Sequence, residues 1–304
     1  MPALVPVLTL VSVSVLAAVG WLLSKMAIDA MEPATFLAIR FFLAAMVLAV
    51  IFHKRLVKAS LRDIRVSAAM GALMGVSMLM WVAGVLNTSH LGEGAFLVSL
   101  NIILIPVISR LLFGTRIPYA LLLSLVPAIA GLAVLSLKNG FQFDTGQLYF
   151  FACATGLAFF MSLTPGYAQQ VDTTVFTTVQ LLAVSFVAFS AAFASETMTM
   201  PGTVDIWLVI VASALLTTSL RFILQMTAMA RLSGFHAAMI LMLEPVCTAL
   251  LSWLVLNQTL ALQQIVGCSL IFTAVVFYQF MSVRQHNKQK SETAQPSTPA
   301  ESRG

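Results

Sequence analysis

Apolar runs follow one another from Leu4 to Val283 with only short polar breaks between them. A helix of roughly 18–20 apolar residues crosses a bilayer core about 30 Å thick, and the chain holds ten runs of that order. They fall at Leu4–Ile28, Pro33–Phe52, Val66–Leu86, Gly94–Phe113, Pro118–Leu137, Leu148–Tyr167, Thr173–Ala194, Ile206–Met229, Gly234–Leu256 and Leu262–Val283. The pattern predicts an all-α membrane protein of ten transmembrane helices.

The runs also repeat. Glu32-Pro33-Ala34-Thr35-Phe36-Leu37-Ala38-Ile39-Arg40 matches Asp172-Thr173-Thr174-Val175-Phe176-Thr177-Thr178-Val179-Gln180 at an offset of 140 residues, and Ile105-Pro106-Val107 matches Glu244-Pro245-Val246 at 139. Two nearly equal offsets from distant segments indicate one duplicated five-helix unit. Five is odd, so the second copy enters the membrane from the other side. That gives two inverted repeats, 4–137 and 148–283, joined by a linker at 138–147, with a binding site expected near the midplane between the halves. Pro106 and Pro245 sit inside the fourth and ninth runs, where each removes a backbone hydrogen bond and frees a carbonyl. In lipid such a group is tolerated only where neighbours or cavity water satisfy it, so both prolines are candidates for structural or gating positions. Gly71 and Gly75 form a GxxxG pair that permits close helix packing.

Composition supports the membrane reading: mean hydropathy is +0.98 and only 9% of residues are charged, against about a quarter in soluble domains. The polar stretch 284–304 holds too little apolar surface to fold and is expected to be a disordered cytoplasmic tail. The first run has no Lys or Arg ahead of it and continues apolar too far for a signal peptide, so it reads as a retained span. Cys153, Cys247 and Cys268 lie in apolar runs without metal-ligand spacing and read as small buried hydrophobes. No cofactor or metal is called for. The net charge of +5 is no nucleic-acid signal, because its sources share one side. One set of alternating loops holds Lys54, Arg55, Lys58, Arg62, Arg65, Arg116, Arg231, Arg284, Lys288, Lys290 and Arg303, whereas the other holds Lys138 with Asp29, Glu32, Glu93, Asp144, Glu196 and Asp205. The positive-inside rule then places both termini in the cytoplasm of a multi-pass protein of the inner (cytoplasmic) membrane.

Four charges remain inside the runs: Lys25, Arg40, Arg221 and Glu244. Each is costly there unless it faces a partner or a cavity. Lys25 is near enough to a helix end to snorkel, while Arg40 is about 10 Å deep at 1.5 Å per residue. Arg221 and Glu244 are each eleven positions from the turn at Leu232–Ser233. An antiparallel hairpin brings them to one depth, which predicts an ion pair, structural or substrate-binding. Asn101, Gln180, Gln225, Thr217, Thr218, Ser24 and Asn87 are uncharged candidates. Trp21, Trp81, Trp253 and Tyr278 belong either to a cavity wall or to interfacial belts.

These residues give the chain its resemblance to the EamA branch of the drug/metabolite transporter superfamily, across nearly all of Leu4–Val283. The first repeat carries Gly20-Trp21 with Lys25, Pro33, Phe36 and Arg40, then Asn87-Thr88-Ser89, Ala95-Phe96-Leu97, Ile103-Leu104-Ile105-Pro106 and Gly114-Thr115-Arg116-Ile117-Pro118. The second carries Phe222-Ile223-Leu224-Gln225, Ala230-Arg231-Leu232-Ser233, Ala237-Ala238-Met239-Ile240 and Leu243-Glu244-Pro245-Val246. The resemblance implies ten helices, cytoplasmic termini, a cavity formed mainly by helices 1, 3, 4, 6, 8 and 9, and transport of small metabolites such as amino acids, often outward. The chain departs from the family pattern at Asn257-Gln258, where a Gly-Glu pair is common, near Thr115, where a Glu is common, and at Arg221, where an uncharged residue is usual.

The expectation is a secondary transporter, in the export direction, of an amino acid or related carboxylate. Its substrate-binding candidates are Arg40, Arg221, Gln180, Gln225, Trp21, Trp81, Lys25 and Asn101, with Glu244, Pro106 and Pro245 as structural or gating residues. The partners are a small-molecule substrate and the bilayer; monomer and homodimer both remain open. A multidrug or organic-cation carrier is the alternative, but it would be expected to keep a carboxylate midway along the first helix, which has none. A membrane enzyme is the remoter alternative. The chain has no HExxH motif, and His53, His90, His236 and His286 lack a carboxylate at ligand spacing. A receptor, the other remote alternative, would not need duplicated, proline-broken helices.

Cysteine labelling from either face of the membrane tests the topology. The loop at Lys54–Arg65 should react only from the cytoplasm and the one at Glu196–Asp205 only from outside; reaction of both from one side would overturn the map.

Overall fold

A computed structural model of the chain describes residues 4–28, 30–87, 97–115, 117, 119–136, 145–198, 200, 202–232, 234–256 and 262–294. Among them the chain forms helices only: α1 (Leu4–Ile28), α2 (Pro33–Ile51), α3 (His53–Val57), α4 (Leu61–Leu86), α5 (Asn101–Phe113), α6 (Tyr119–Ser136), α7 (Thr145–Ala168), α8 (Thr173–Ser195), α9 (Val204–Ala212), a π-helix (Ser213–Leu220), α10 (Arg221–Met229), α11 (Gly234–Leu241), α12 (Leu243–Leu256) and α13 (Leu262–Ala294). Eight helical stretches are long and apolar enough to cross a membrane, and two apolar stretches are shorter, Leu97–Phe113 and Tyr119–Val134.

Several boundaries differ from the hydropathy pattern for local reasons. The third run starts at Leu61 rather than Val66, because Ser60 and Asp63 form a capping box that satisfies amides at the helix start. The eighth run holds a π-helix at its middle. The ninth is two helices divided at Met242, so Pro245 stands in the first turn of α12 rather than inside a continuous helix. That is a position where its missing N–H costs little. Pro106, by contrast, is inside α5 and buried. The last helix runs to Ala294, so the tail expected to be disordered from 284 is helical over its first residues.

The two repeats are not separate lobes. α1, the first helix of repeat one, packs against α9–α12 of repeat two, and α7, the first helix of repeat two, packs against α4 and α5 of repeat one. The helices thus group into two crossed bundles, each built from both repeats. Small contacts brace the proline-bearing segments across the repeats. Ser14 of α1 donates to the Ile240 carbonyl at 3.5 Å, five residues before Pro245, and Ser162 of α7 donates to the Ile105 carbonyl at 3.2 Å, next to Pro106.

α2 and α8 pack along their length, as do α6 and α13. Gly71 and Gly75 seat α4 on α8. A Cβ on Gly71 would collide with the Gln180 backbone, and one on Gly75 would come within 2.9 Å of Val187 Cβ, so the GxxxG pair serves packing within the chain.

Both ends of the α2–α8 pair are tied by charge. Pro33 starts α2 and the Glu32 side chain does not cap it. Glu196, just past α8, does so instead, accepting from the Ala34 and Thr35 amides at 2.8 and 2.7 Å and from the Thr35 hydroxyl at 2.7 Å. Glu32 in return accepts from the Thr197 and Met198 amides at 3.2 and 2.9 Å. At the opposite end Asp172 caps α8 through the Thr174 and Val175 amides and pairs with Arg55 at 3.1 Å. A carboxylate at a helix start meets unpaired amides and the positive end of the helix dipole. These contacts fix α2 and α8 as antiparallel.

Candidate functional site

Arg40 sits one to two turns into α2 and turns toward α1 and the π-helix. Its Nε donates to Thr218 Oγ1 at 2.6 Å, one terminal nitrogen to Ser24 Oγ at 2.8 Å, and the other to Thr217 Oγ1 at 3.0 Å and the Thr217 carbonyl at 3.4 Å. The rings of Phe36 and Phe41 lie 5.7 and 6.0 Å from its guanidinium carbon, close enough for cation–π attraction. Among the described residues this guanidinium is answered by neutral oxygens and ring faces instead of by an acid. Gly20 makes room for it. A Cβ there would stand 3.0 Å from Thr217 Oγ1 and 3.4 Å from Arg40.

The π-helix is what delivers the two threonines. The Thr217 and Thr218 hydroxyls both donate to the Ser213 carbonyl at 3.0 Å, from four and five residues away. Adjacent side chains thereby share one backbone acceptor and present their oxygens together to Arg40. The widened turn is the kind of feature that recurs at functional sites. Hydroxyl groups at Ser213, Thr217, Thr218 and Ser219 are its sequence signal, since such residues compete for backbone partners.

Arg221 opens α10 just after the π-helix. Its terminal nitrogen lies 3.5 Å from Glu244 Oε2, and the side chains are 21% and 26% exposed. The expected ion pair is therefore present. It is a single, long contact, whereas a forked Arg–carboxylate pair makes two bonds of about 2.7–2.9 Å. Arg221 Nε is buried and has no hydrogen-bond partner in the structure. The Phe222 ring centroid is 5.2 Å from its guanidinium carbon. Glu244 stands in the first turn of α12, where the break at Met242 exposes a helix start that favours a carboxylate. Its other oxygen accepts from Trp21 Nε1 at 2.9 Å.

Trp21 in turn meets Trp81 of α4 edge-to-face, with ring centroids 5.7 Å apart. α1 and α4 belong to different bundles and make no sustained backbone contact among the described residues. The two indoles span the gap between them. Arg40 and its hydroxyls, Arg221, Glu244, Trp21 and Trp81 thus form one connected constellation at the junction of the bundles.

The other candidates lie elsewhere or contribute less. Gln180, at the position in repeat two equivalent to Arg40, is fully buried between α8 and α4. Its amide nitrogen is 3.0 Å from Met74 Sδ, and its Oε1 has no partner. Gln225 is buried one turn beyond Arg221, with its amide 3.9 Å from Met229 Sδ. Asn101 begins α5 and is half-buried. No described contact joins these three to the constellation. The Lys25 side chain lies outside the described residues, as do Thr88, Ser89, Arg116, Asn257 and Gln258. Trp253 is largely exposed on α12, and Tyr278 is fully buried on α13 against the His236 ring. Nothing in the sequence pattern marks the Trp21–Glu244 bond or the joint hold of Thr217 and Thr218 on Arg40.

Removing Arg221 alone strands Glu244 against apolar groups, a loss of about 3–5 kcal/mol for a fully buried pair and less here because both side chains keep some exposure. Arg221→Met should therefore lower the Tm in detergent more than Arg221→Met combined with Glu244→Gln. Equal Tm values for the single and double variants would show that the pair carries no coupling.

The model of the EamA-like transporter family matches residues 4–137 and again 144–279, the two repeats in turn. A solved structure titled only "Crystal structure of protein" superposes with a TM-score of 0.78 at 19% identity, covering 93% of this chain and 98% of that one; at that identity the likeness is one of fold. No curated protein sequence matches the chain. With both halves of the molecule matched by the same family model, the chain belongs to the EamA-like transporter family, within the drug/metabolite transporter superfamily.

Proposed function

We propose that this EamA-like transporter is a secondary carrier that moves a small carboxylate-bearing metabolite, an amino acid being the favoured case, outward across the cytoplasmic membrane by alternating access between its two crossed bundles. Both termini face the cytoplasm in this reading, as the loop charges require. The observation that carries it is the state of Arg221. Its guanidinium makes a single long contact to Glu244 through one terminal nitrogen, and its Nε is buried without a hydrogen-bond partner, beside Trp21, which bonds Glu244 and meets Trp81. A guanidinium edge with two parallel N–H groups is the natural fork for a carboxylate.

Arg40 supports the same reading from behind. Its charge is held by hydroxyls and rings, so the constellation of Arg40, Arg221 and Glu244 carries one positive charge in excess. An organic cation would add to that excess, whereas a substrate that bears a carboxylate does not. Gln180 and Gln225 are retained as orienting candidates only in the sense that each keeps a buried amide oxygen without a partner.

Transport in proteoliposomes tests this directly. Arg221→Lys should fold normally and lose about tenfold or more in amino-acid counterflow, because an ammonium keeps the charge but not the fork. Arg40→Lys should lose activity together with stability, since an ammonium cannot reach three hydroxyl groups at once. Normal counterflow in Arg221→Lys, with organic cations competing better than amino acids, would refute the carboxylate reading.

A further inference from the structure

We infer that Glu244 is the receptor for the α-ammonium group of a zwitterionic substrate, and that the Arg221–Glu244 pair is a stand-in for that substrate which an amino acid opens and replaces. This deepens the carboxylate reading above and rests on it.

The argument starts from how incompletely the pair satisfies itself. Arg221 reaches one oxygen of Glu244 at 3.5 Å and leaves its Nε without a partner. Glu244 spends its other oxygen on Trp21 Nε1 at 2.9 Å. Two opposite charges in apolar surroundings that meet at one long contact forfeit much of the attraction that would offset their desolvation. An α-amino acid offers both complements at the right separation. Its carboxylate takes the terminal nitrogens of Arg221, and its ammonium takes the Glu244 oxygen that Arg221 releases. One loose neutral pair becomes two closer ones, and the net charge of the constellation is unchanged. A monoanion would draw Arg221 away and leave Glu244 uncompensated. A monocation would do the same to Arg221.

The surroundings are built to hold Glu244 while its partner moves. It stands at the start of α12, where the helix dipole favours a carboxylate with or without Arg221, and the Trp21 bond fixes one oxygen. Arg40 does not take part in the exchange, because Ser24, Thr217 and Thr218 hold it in place. The Trp21 indole binds Glu244 through its edge and touches Trp81 across the gap between bundles. Occupation of Glu244 by an ammonium is therefore relayed to the one aromatic contact described between α1 and α4.

The experiment is counterflow of radiolabelled L-leucine, L-phenylalanine and L-threonine by the full-length protein in proteoliposomes. The amino acid carried best is then competed with its des-amino acid and with its amide, which keep one charge each. The wild type should take each single-charge analogue at least about tenfold more weakly than the zwitterion. In Glu244→Gln, which keeps an acceptor for Trp21, the preference over the des-amino acid should shrink to within about threefold. If the des-amino acid competes as well as the amino acid in the wild type, this inference fails and the carboxylate reading stands. If only the amide or other cations compete, both fail. The wild-type arm needs no variant to fold, and a Glu244→Gln protein that folds and keeps the full preference would also overturn the assignment.

Discussion

A charge inside an apolar bundle must be answered by a neighbour, and the interior of this molecule is arranged around that requirement. A single unpaired guanidinium or carboxylate at that depth costs several kcal/mol, comparable to a large share of a domain's net stability. Arg40 is answered by three hydroxyls and two phenyl rings, and Arg221 and Glu244 answer each other. The π-helix carries Thr217 and Thr218, whose hydroxyls share the Ser213 carbonyl and accept from Arg40. The break at Met242 likewise gives Glu244 a helix start to sit on. Local irregularity is concentrated where charge has to be held.

The duplicated architecture makes that concentration one-sided. The internal repeat equates Arg40 with Gln180 and Glu244 with Ile105, so the charges present in one crossed bundle have neutral counterparts in the other. What the symmetry preserves is scaffold. Glu32 and Asp172 open α2 and α8, and α6 pairs with α13. What it does not preserve is the polar constellation. A symmetric frame suits alternating access, and in the proposed function an asymmetric set of charges gives it a chemical preference.

Much of this is legible in the chain, for reasons that differ from residue to residue. The repeat and the helical runs are read from period and length alone, and α1 begins and ends where the hydropathy places it. The Arg221–Glu244 pair follows from equal distances to a turn, a one-dimensional argument that survives because a hairpin is local. The crossing of α1 and α7 into opposite bundles is not legible, because helices that are equally apolar on most faces carry little record of which neighbour each meets. The surroundings of Gln180 are not legible either. It holds the place in the repeat equivalent to Arg40, but Gly71 lets α4 approach its backbone and closes it against Met74. The link from Trp21 to Glu244 spans 223 residues of sequence and belongs to the tertiary packing alone. The Glu196 cap on α2 is invisible for the same reason.

The central claim is that substrate occupies the junction where Trp21, Trp81, Arg221 and Glu244 meet. Tryptophan emission tests it most directly, in a protein where Trp207 and Trp253 are replaced by Phe so that only these two indoles remain. Titration with the transported amino acid should give a saturable change in emission whose midpoint tracks the transport KM, and the change should disappear in Arg221→Lys. Full transport of an amino acid with no change in the emission of Trp21 and Trp81 would contradict the account.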